Sequence, residues 1–592
     1  MYYFTRLLTA AATAALLLSP PAPAQTPTYD RAQDCGGGQG NYGWGPRRMA
    51  VDGQGNTYVA GYFTGTAVFG NTLLTVPGIP VPGQFPPNDL FVAKLDAAGN
   101  YLWAVQGGGQ TRPDVLGLCV DAAGNVYLTG YFNAFSITLG AGGPTLYNSS
   151  ANSEGFVAKL NGASRQWQWA RRFGGTGGDL GLAVAVNAHG AVYVAAAVYS
   201  LTADFGPSTL TSPTSAEYLN ACWAKLDANG AWRWARRMGT GRVEASALRL
   251  DPGGDLYAAG TFGAPAATLG AAMLTTQAVA GAPPYLGYGN GDVFVGRADS
   301  AGTWRWAVQG NAVGRQNIVV LGGLAHDGAG GLYVCGSYTN TAARFGATVL
   351  PNLSVMQPPP NPPLLTPWTN NYYSDAYVAR LDAATGAWQW AVRAGGVNTD
   401  DYVRNIVADR QGRVWVGGGD SNGADFASPL PGGGRADLAQ LDGATGAWRW
   451  ALATAPAVVR DLAPDAAGRL HLAGFFSNGA ATFGNFLLPG PGPGADAGFV
   501  ARLGAGPLGA RGRATPAGSA LAVWPNPAGG GAVWVQGPNP GQAVRVLDAL
   551  GRRVGSGRMP ASGPLRLALP AALPPGLYVV QGAGQAQRLV VE

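Results

Sequence analysis

Charged residues are scarce in this chain. Asp, Glu, Lys and Arg make up 12% of its 592 residues, about half of their share in an average globular protein. Lysine is scarcest, since it occurs only as Lys94, Lys159 and Lys225, and the formal net charge is +6. So few lysines and so modest a charge are not typical of nucleic-acid-binding proteins. We therefore expect no nucleic-acid partner.

Histidine and cysteine are also rare, with three and four residues. Neither H-E-x-x-H nor a pair of C-x-x-C motifs occurs, and the three His are at non-equivalent positions, so we expect structural His, no metal site and no cofactor. Four Cys in an exported chain could form two disulfides with three connectivities. Because each lies in a different repeat, we favour unpaired thiols that pack as small apolar groups. They are Cys35, Cys119, Cys222 and Cys335.

Long apolar runs are absent except near the N-terminus. That segment reads MYYFTRLLTAAATAALLLSPPAPAQ, with a basic Arg6, an apolar run and an Ala22-Pro23-Ala24 cleavage site, as in an export signal. We expect residues 1–24 to be a signal peptide. No other stretch approaches the ~18 apolar residues of a membrane helix. We therefore expect no transmembrane segment in the mature chain, and a secreted, extracellular or outer-membrane-attached protein.

Helical periodicity is absent, whereas glycine is abundant, with 93 residues. Glycine recurs between short apolar segments, which is typical of tight turns. One phrase, as in MAVDGQGNTYVAGYF and LCVDAAGNVYLTGYF, occurs seven times, and its anchors are 56 to 82 residues apart. This period suits a four-stranded unit with long loops. The anchors are Asp52, Asp121, Asn187, Asp251, Asp327, Asp409 and Asp465.

Each phrase predicts a hairpin. The Asp can accept turn N–H groups, the Gly can take a positive φ, and an apolar strand follows. A second phrase, as in KLDANGAWRWA, predicts another hairpin in the same repeat. Every repeat then has four strands, which we name a to d. Strand a ends at the anchor residue, and strand b contains the Tyr. Strand c is the F-V-A-K-L segment, and strand d is the W-x-W-A segment. We expect an all-β fold.

The last repeat lacks its strand d, because FVARL is followed by GAGPLGARG. Residues 28–34 precede the first strand a and could supply the missing strand. Such pairing would close the ring of repeats and remove its free edges.

The D-x-x-G-N-x-Y-x-x-G and F-V-A-K-L-D phrases resemble those of the seven-bladed β-propeller repeat proteins of bacterial surfaces. The resemblance covers residues 28–504. It implies an all-β, seven-bladed β-propeller closed by an N-terminal strand. It implies little about activity, because propellers support unrelated functions.

A different composition follows residue 504. A Gly, Ala and Pro-rich linker, residues 505–518, precedes short strands that predict a small Ig-like β-sandwich over residues 519–592. Three of its segments, W-P-N-P-A, L-D-A-L-G-R-R-V and P-G-L-Y-V-V, resemble the C-terminal sorting domain of the type IX secretion system. The resemblance implies recognition by the outer-membrane translocon and removal by a sortase-like peptidase. The matching residues are Trp524, Pro525, Asn526, Pro527, Gly551, Gly576 and Tyr578. Trp524 stands where an aromatic residue, often Tyr, is usual.

Two side-chain patterns recur in the repeats, and each could either bind a ligand or stabilise the fold. The W-x-W pairs, such as Trp232 and Trp234, could stack on sugars, but their recurrence at one structural position favours packing between adjacent blades. A basic residue recurs in strand c, and an acidic one often lies five residues earlier, as in Lys159 and Glu154. These could form an anion-binding ring, but we favour ion pairs within each blade.

Catalytic patterns are weak. Residues 419–423 match G-x-S-x-G, but ADFASPLPGGG follows where a nucleophile elbow needs a helix. DSAGTW at Asp299 has its Gly one place too late for a sialidase-type Asp box. The D-x-x-G turns lack the alternating oxygens of a calcium loop.

The connections between strands b and c contain irregular, aromatic sequence and should all emerge on one face. Loops on a rigid scaffold commonly bind ligands. We predict binding residues there, although a Pro-rich loop could also be a spacer. The candidates are Phe85, Tyr285, Tyr288, Trp368, Tyr372 and Tyr373.

Three functional hypotheses follow. The favoured one is a non-enzymatic binding or scaffold protein that recognises an unknown glycan or surface protein. A propeller-type glycan-active hydrolase or lyase would need two or more carboxylates that converge at the central mouth. The third is a purely structural surface component.

Overall fold

The computed structural model describes most of the chain. The described residues are 27–36, 45–77, 87–108, 112–213, 220–263, 266–276, 291–313, 319–339, 341–352, 373–396, 399–418, 424–426, 435–454, 456–477, 479–491, 495–504, 522–524, 532–536, 541–548, 552–560, 565–570, 573–574, 576–582 and 585–591. They belong to two compact units, one within residues 1–506 and the other within residues 507–592.

The first unit begins with one strand and continues through seven repeats. The N-terminal strand is β1 (Tyr29–Asp34). Repeat 1 has β2 (Gly45–Val51), β3 (Thr57–Thr64), β4 (Thr66–Phe69), β5 (Thr72–Thr75), β6 (Asn88–Leu95) and β7 (Tyr101–Gly107). Repeat 2 has β8 (Asp114–Val120), β9 (Val126–Phe132), β10 (Ser136–Thr138), β11 (Thr145–Tyr147), β12 (Glu154–Leu160) and β13 (Trp167–Gly175). Repeat 3 has β14 (Asp179–Val186), β15 (Val192–Val198), β16 (Thr202–Phe205), β17 (Ser208–Thr211), β18 (Asn220–Leu226) and β19 (Trp232–Arg237).

The remaining repeats follow the same order. Repeat 4 has β20 (Val243–Leu250), β21 (Leu256–Gly263), β22 (Ala266–Leu269), β23 (Ala272–Thr275), β24 (Gly291–Ala298) and β25 (Trp304–Val313). Repeat 5 has β26 (Val319–His326), β27 (Gly331–Tyr338), β28 (Ala342–Phe345), β29 (Thr348–Pro351), β30 (Asp375–Asp382) and β31 (Trp388–Ala394). Repeat 6 has β32 (Asn405–Ala408), β33 (Arg413–Gly417), β34 (Ala424–Asp425), β35 (Arg435–Ala436), β36 (Leu438–Asp442) and β37 (Trp448–Leu452). Repeat 7 has β38 (Ala457–Pro464), β39 (Leu470–Ser477), β40 (Ala481–Phe483), β41 (Phe486–Leu488) and β42 (Asp496–Leu503).

The first, second, fifth and sixth strands of repeats 1 to 6 form an antiparallel sheet in the order a, b, c, d. Strand a of each sheet contacts strand a of the next, and β38 contacts β2, so the seven sheets surround one channel. None of the described residues lies in a helix. The predicted all-β fold is confirmed, and this circular arrangement of sheets is that of a β-propeller.

The predicted partner of the last repeat is present. Strand β1 pairs antiparallel with β42, with Tyr29 opposite Leu503 and Asp34 opposite Phe499. The sheet of repeat 7 therefore has the order β38, β39, β42, β1. The Arg502 guanidinium also lies 2.8 Å from the Asp30 carboxylate. Because β1 covers the edge of β42, the last sheet has four strands like the others.

A small hairpin in each b-to-c connection was not predicted. Its two strands are the third and fourth of each repeat, such as β4 with β5 and β16 with β17. Strands β4 and β16 each end at a Phe that is followed by Gly. The ring of one of them, Phe205, stacks on Phe173 of the preceding repeat with ring centroids 5.2 Å apart. The irregular, aromatic segments predicted in these connections, such as residues 353–372, lie outside the described residues. Short strands with few apolar residues give a weak periodic signal, because one face alone is buried.

The repeated Trp pairs bridge adjacent sheets, as predicted. The first Trp reaches the preceding sheet, since the Trp388 indole N–H donates to the Gln309 carbonyl at 3.1 Å. The second reaches the following sheet, since the Trp390 indole N–H donates to the Gly443 carbonyl at 3.1 Å. Each W-x-W segment therefore connects its own sheet to both neighbours.

The second unit contains two small antiparallel sheets. Its strands are β43 (Ala522–Trp524), β44 (Ala532–Gln536), β45 (Ala543–Leu547), β46 (Arg553–Arg558), β47 (Leu565–Ala568), β48 (Gly576–Gly582) and β49 (Gln585–Val591). One sheet has the order β43, β44, β47 and the other β46, β45, β48, β49. Val533, Val546 and Val580 belong to its apolar core. The predicted linker, residues 505–518, lies outside the described residues.

Two sequence predictions concern cysteine and the membrane. All four Cys are unpaired, and Cys35, Cys222 and Cys335 are buried, which agrees with the predicted packing role. Within the described part of the chain, no helix is long and apolar enough to cross a membrane.

Candidate binding site at the mouth of the central channel

Five of the six predicted binding residues, Phe85, Tyr285, Tyr288, Trp368 and Tyr372, lie outside the described residues. The sixth, Tyr373, is half-buried just before β30. Its backbone carbonyl accepts a hydrogen bond from the Asn352 side-chain amide at 3.0 Å. The binding role of this group therefore stays a prediction.

The sorting-motif residues are described in part. Trp524 ends β43 and lies opposite Trp534 of β44. Gly576 begins β48. Tyr578 is buried, and its hydroxyl donates to the Pro574 carbonyl at 2.7 Å. The other four, Pro525, Asn526, Pro527 and Gly551, lie outside the described residues.

The channel has two different mouths. Strands a begin on one face, which also receives the b-to-c connections and the joins between repeats, and we name it the connection face. Strands a end on the opposite face, which contains the a-to-b and c-to-d turns. We name it the turn face. Cavities of about 660 Å³ and 1010 Å³ lie at the connection face and the turn face respectively.

Aspartates line the cavity at the turn face. They include Asp251, Asp255, Asp299, Asp327, Asp409 and Asp465. The anchor Asp327 shows their role, since its Oδ1 accepts from the backbone N–H groups of Ala329 at 2.7 Å and Gly331 at 2.9 Å. The Tyr333 hydroxyl donates to the other carboxylate oxygen at 3.1 Å. These contacts are those predicted from the D-x-x-G phrase, so this acidic group helps to build the turn.

A buried histidine also serves the fold. The ring of His471 is buried, with Nδ1 2.8 Å from the Thr57 hydroxyl and Nε2 3.3 Å from the Asp465 carboxylate. Thr57 belongs to β3 of repeat 1, so His471 joins the last sheet to the first. Burial lowers the pKa of His471, although Asp465 acts in the opposite sense. This agrees with the predicted structural role.

Ion pairs of the strand c basic residues within a blade are confirmed in several repeats. Lys94 lies 3.8 Å from the Asp52 carboxylate, and Arg297 lies 2.8 Å from that of Asp255.

The acidic residue five positions earlier is not the partner, as Lys159 shows. Lys159 lies over the Tyr127 ring of strand b, 5.4 Å from its centroid. Glu154 pairs with Arg172 of strand d at 2.9 Å. The predicted pairing of Lys159 with Glu154 is therefore wrong. Five residues of strand span about 16 Å and reverse the side-chain direction, so the two cannot meet.

Arginines dominate the cavity at the connection face. Arg47, Arg48, Arg404 and Arg460 line it, and Asp114 is the one acidic residue among its described lining residues. Ser337, Tyr402 and Asn405 also line it. The arginines come from repeats 1, 6 and 7 and lie in the first four residues of strand a or directly before it. The ring therefore brings together residues that are more than 400 positions apart.

The two arginines of repeat 1 are held by hydrogen bonds. The Arg48 guanidinium donates to the Leu116 carbonyl at 2.6 Å and to the Arg47 carbonyl at 3.0 Å. The Arg47 guanidinium donates to the Tyr62 hydroxyl at 2.9 Å and lies 3.5 Å from the Asp114 carboxylate. Their positions are therefore fixed by repeats 1 and 2.

Aromatic rings support the arginines of repeats 6 and 7. The Arg404 guanidinium lies 5.9 Å from the Tyr402 ring centroid, and that of Arg460 lies 4.8 Å from the Phe475 ring centroid. The backbone of Arg404 is held as well, since its N–H donates to the Gly417 carbonyl at 2.9 Å. The face of an aromatic ring attracts the guanidinium group that lies against it.

Several arginines affect the pKa of Asp114, the acidic residue among the described lining residues. Burial raises the pKa of Asp114, while Arg47, Arg48 and Arg460 all act to lower it. A second carboxylate, Asp461, accepts from the Met49 N–H at 2.8 Å. Asp114 and Asp461 are therefore carboxylates that lie close to these arginines among the described residues.

The arginine cluster was missed by sequence reasoning. Its signal is a basic residue before the apolar run of strand a, as in G-P-R-R-M, Y-V-R-N and V-V-R-D. A pattern within one repeat does not reveal the cluster, because the cluster joins the same position of different repeats. No group of three or more His, Cys, Asp or Glu side chains that could hold a metal ion occurs among the described residues.

Comparisons with known proteins agree with the ring of sheets. Residues 398–420 match the family model described as a two component regulator propeller. The chain contains a β-propeller. No curated protein matches it in sequence.

Three solved structures are similar to parts of this chain. The WD40 β-propeller domain of Doa1 is 9% identical with a TM-score of 0.37, and the match covers 80% of this chain and 98% of that one. The Dos1 propeller is 7% identical with a TM-score of 0.35, covering 80% and 95%. A quinohemoprotein alcohol dehydrogenase from Pseudomonas putida HK5 is 11% identical with a TM-score of 0.36, covering 84% and 79%. At these values the likeness supports no conclusion about activity.

Proposed function

We propose that this chain is a secreted or cell-surface, seven-bladed β-propeller that binds a partner and does not catalyse a reaction. Seven sheets around one channel, with β1 completing the last, support the blade number and the closure. The resemblance of its repeats to bacterial surface propellers supports the location.

The observation that favours binding is the arginine-lined cavity at the connection face, with a volume of about 660 Å³. This volume is within the range of ligand pockets. The cavity also lies on the face from which the b-to-c connections emerge. At the opposite mouth, the anchor aspartates accept turn N–H groups, as Asp327 does. A structural role for those carboxylates favours a binding protein over a glycan-active enzyme.

The test of binding uses the mature chain, from residue 25 onward, on a glycan array that includes neutral and acidic glycans. Bound glycans should compete with one another for one site. Saturable binding that Arg404→Gln alters would support the connection face. A chain that retains no glycan and captures no surface protein would contradict the proposal.

We also propose that the second unit is an Ig-like sorting domain of the type IX secretion system, removed by a sortase-like peptidase after the translocon recognises it. Its two small sheets, of three and four strands, are compatible with such a sandwich. Gly576 and Tyr578 of its P-G-L-Y-V-V segment lie in β48, and the Tyr578 ring is part of the core.

Delivery is tested by deletion of residues 521–592. The shortened chain should accumulate in the periplasm, whereas the full chain should reach the cell surface and lose this domain. Immunodetection in cell fractions, with the intact mass of surface protein, measures both. Tyr578→Phe is a matched control, because it keeps the buried ring and loses only the hydroxyl that donates to Pro574. Undiminished surface delivery of the shortened chain would contradict the proposal.

A further inference from the structure

We propose that the seam between repeats 7 and 1 is a pH-sensitive closure of the ring, in which protonation of His471 weakens the contact between the last sheet and the first. The seam is the contact of β38, β39 and β42 with β1 and with repeat 1. The chain reaches these three strands from repeat 1 only by passing through the other repeats, and all four Cys are unpaired. Noncovalent contacts therefore hold the seam closed. This inference is independent of the binding role proposed above.

The seam has two basic side chains where other repeats have two aromatic rings. In repeats 1 to 5 the Tyr of strand b and the second Trp of strand d have ring centroids 6.1 to 6.3 Å apart. In repeat 7, His471 is at the Tyr position and Arg31 of β1 is at the Trp position. The Arg31 guanidinium donates to the Ala97 carbonyl at 3.3 Å, just as Trp169 donates to that of Ala228. The seam therefore keeps the hydrogen bond of the other interfaces but is more polar.

The His471 ring is completely buried and contacts both sides of the seam. Its Nδ1 lies 2.8 Å from the Thr57 hydroxyl of repeat 1, and its Nε2 lies 3.3 Å from the Asp465 carboxylate of repeat 7. A neutral ring with its proton on Nε2 can donate to Asp465 and accept from Thr57. Both contacts are therefore satisfied without a charge on the ring.

Charged groups act on the ring from the a-to-b turn of repeat 7, from β1 and from β42. They are Asp465 with its partner Arg469, Arg31, and Arg502 with its partner Asp30. The Oδ2 atom of Asp465 lies 2.6 Å from Arg469 Nε as well as 3.3 Å from His471 Nε2. A proton on His471 would therefore add positive charge to a buried site whose contacting carboxylate already pairs with an arginine.

The direction of the pH dependence follows from these contacts. Burial lowers the pKa of His471, and Arg31 and Arg502 act in the same direction, whereas Asp465 opposes them. Neutral His471 therefore stabilises the closed seam above about pH 6.5, the ordinary pKa of histidine. This stabilisation is lost as the pH falls from about 6.5 through the lower pKa of the folded state.

Two cysteines of the chain can report opening of the seam. Cys35 directly follows β1 and is buried, and its N–H donates to the Gly498 carbonyl of repeat 7 at 2.9 Å. Cys335 is equally buried but lies in β27 of repeat 5. Burial raises the pKa of both thiols, so the closed protein should react slowly with thiol reagents. The ratio of the two labelling rates separates opening of the seam from unfolding of the whole ring.

The experiment labels the mature chain with dithiodipyridine, which reacts with thiols in acid as well as at neutral pH. Mass spectrometry of peptides then gives the labelling rate of each Cys. Between about pH 7.5 and about pH 5, the ratio of Cys35 to Cys335 labelling should rise about tenfold or more. One pKa unit between the closed and open states of His471 corresponds to about a tenfold change in the opening equilibrium.

His471→Gln should remove this response. The Gln side chain is uncharged at both pH values, and its amide can donate to Asp465 and accept from Thr57. Its labelling ratio should change by less than about twofold over the same range. His189→Gln is the matched control, because His189 is exposed in repeat 3, and its ratio should rise as that of the wild type does.

A second titratable group lies at the seam. Asp461 accepts from the Met49 N–H of repeat 1 at 2.8 Å, and burial raises its pKa. A carboxylate with a raised pKa has the opposite effect, because its protonation in acid favours the folded state. His471→Gln leaves Asp461 in place, so comparison with the wild type isolates the titration of His471.

The melting temperature checks that each variant folds. If His471→Gln does not fold, His471→Tyr gives the same test, since repeats 1 to 5 have Tyr at this position. A wild-type ratio that stays constant with pH would overturn the inference, as it would if acid exposed Cys35 and Cys335 equally. An equal rise in the wild type and in the folded His471 variant would also overturn it, because another group would then control the seam.

Discussion

The indole N–H of Trp169 donates to the backbone carbonyl of Ala228 at 3.1 Å. Trp169 lies in strand d of repeat 2, and Ala228 lies in the c-to-d turn of repeat 3. The Trp169 ring also packs against Gly230 of that turn, where an added Cβ would lie 2.5 Å from it. One side chain therefore joins two sheets by a hydrogen bond and by apolar contact.

Trp169→Ala should lower the free energy of unfolding by about 3 to 5 kcal/mol, because it removes a large buried side chain and leaves a cavity. Trp169 is 6% exposed, whereas Phe135 is 78% exposed. Phe135→Ala is the control and should change stability by no more than about 0.5 kcal/mol. Urea denaturation measures both. Similar losses in the two variants would show that the interface between sheets contributes little.

Gly230→Ala tests the close approach of the turn to Trp169. Gly230 has φ of +77° and Gly412 has φ of +75°, but an added Cβ meets no atom within 4 Å at Gly412. Both variants should lose stability from the positive φ, by about 1 to 3 kcal/mol. Gly230→Ala should lose about 1 to 3 kcal/mol more through overpacking. Equal losses would mean that the turn moves away from the ring without cost.

A mature chain that begins at residue 37 should melt at a lower temperature and aggregate more readily. It lacks β1, so the edge of β42 is exposed, and it loses the contact between Tyr29 and Phe483, whose ring centroids are 5.3 Å apart. Scanning calorimetry and light scattering measure these effects. Asp30→Asn is the control, because it removes only the ion pair with Arg502 and should cost less than about 1 kcal/mol. An unchanged melting temperature would contradict closure by β1.

Asp442→Asn should make stability less dependent on pH in acid. Hydrogen bonds from Arg449 and Thr445 lower the pKa of Asp442 to about 2, so the carboxylate stabilises the fold above its ordinary pKa near 4. This contribution is lost as the pH falls through about 2. At pH 7 the free energy of unfolding of the wild type should exceed that of Asp442→Asn by less than about 1 kcal/mol, since the ion pair with Arg449 is exposed to solvent.

The difference between these two proteins should vanish near pH 2. Unfolding by urea across this pH range measures it. The Asn side chain keeps an oxygen that can accept the turn N–H groups, so the comparison isolates the charge. A constant difference from pH 7 to pH 2 would show that the charge of Asp442 does not stabilise the turn.

Local patterns could be predicted from the sequence because each depends on neighbouring residues. The D-x-x-G phrase predicted the turn contacts that Asp327 makes, and the W-x-W pairs predicted contact between sheets. The hairpins of the b-to-c connections were missed, since strands of two to four residues have too short a period to recognise. The prediction that Lys159 pairs with Glu154 was wrong, because residue spacing alone does not give side-chain direction.

The sequence by itself determined the all-β fold, the seven repeats and the segment that completes the last sheet. Alternation along strands, turn chemistry and repetition are local properties, so they can be read along the chain. Only the tertiary structure decided which residues meet at the channel mouths. Arg47 and Arg460 both line one cavity because the ring closes between repeats 1 and 7. The distance between Arg47 and Arg460 cannot be predicted from a local pattern, because it depends on the curvature of the whole ring.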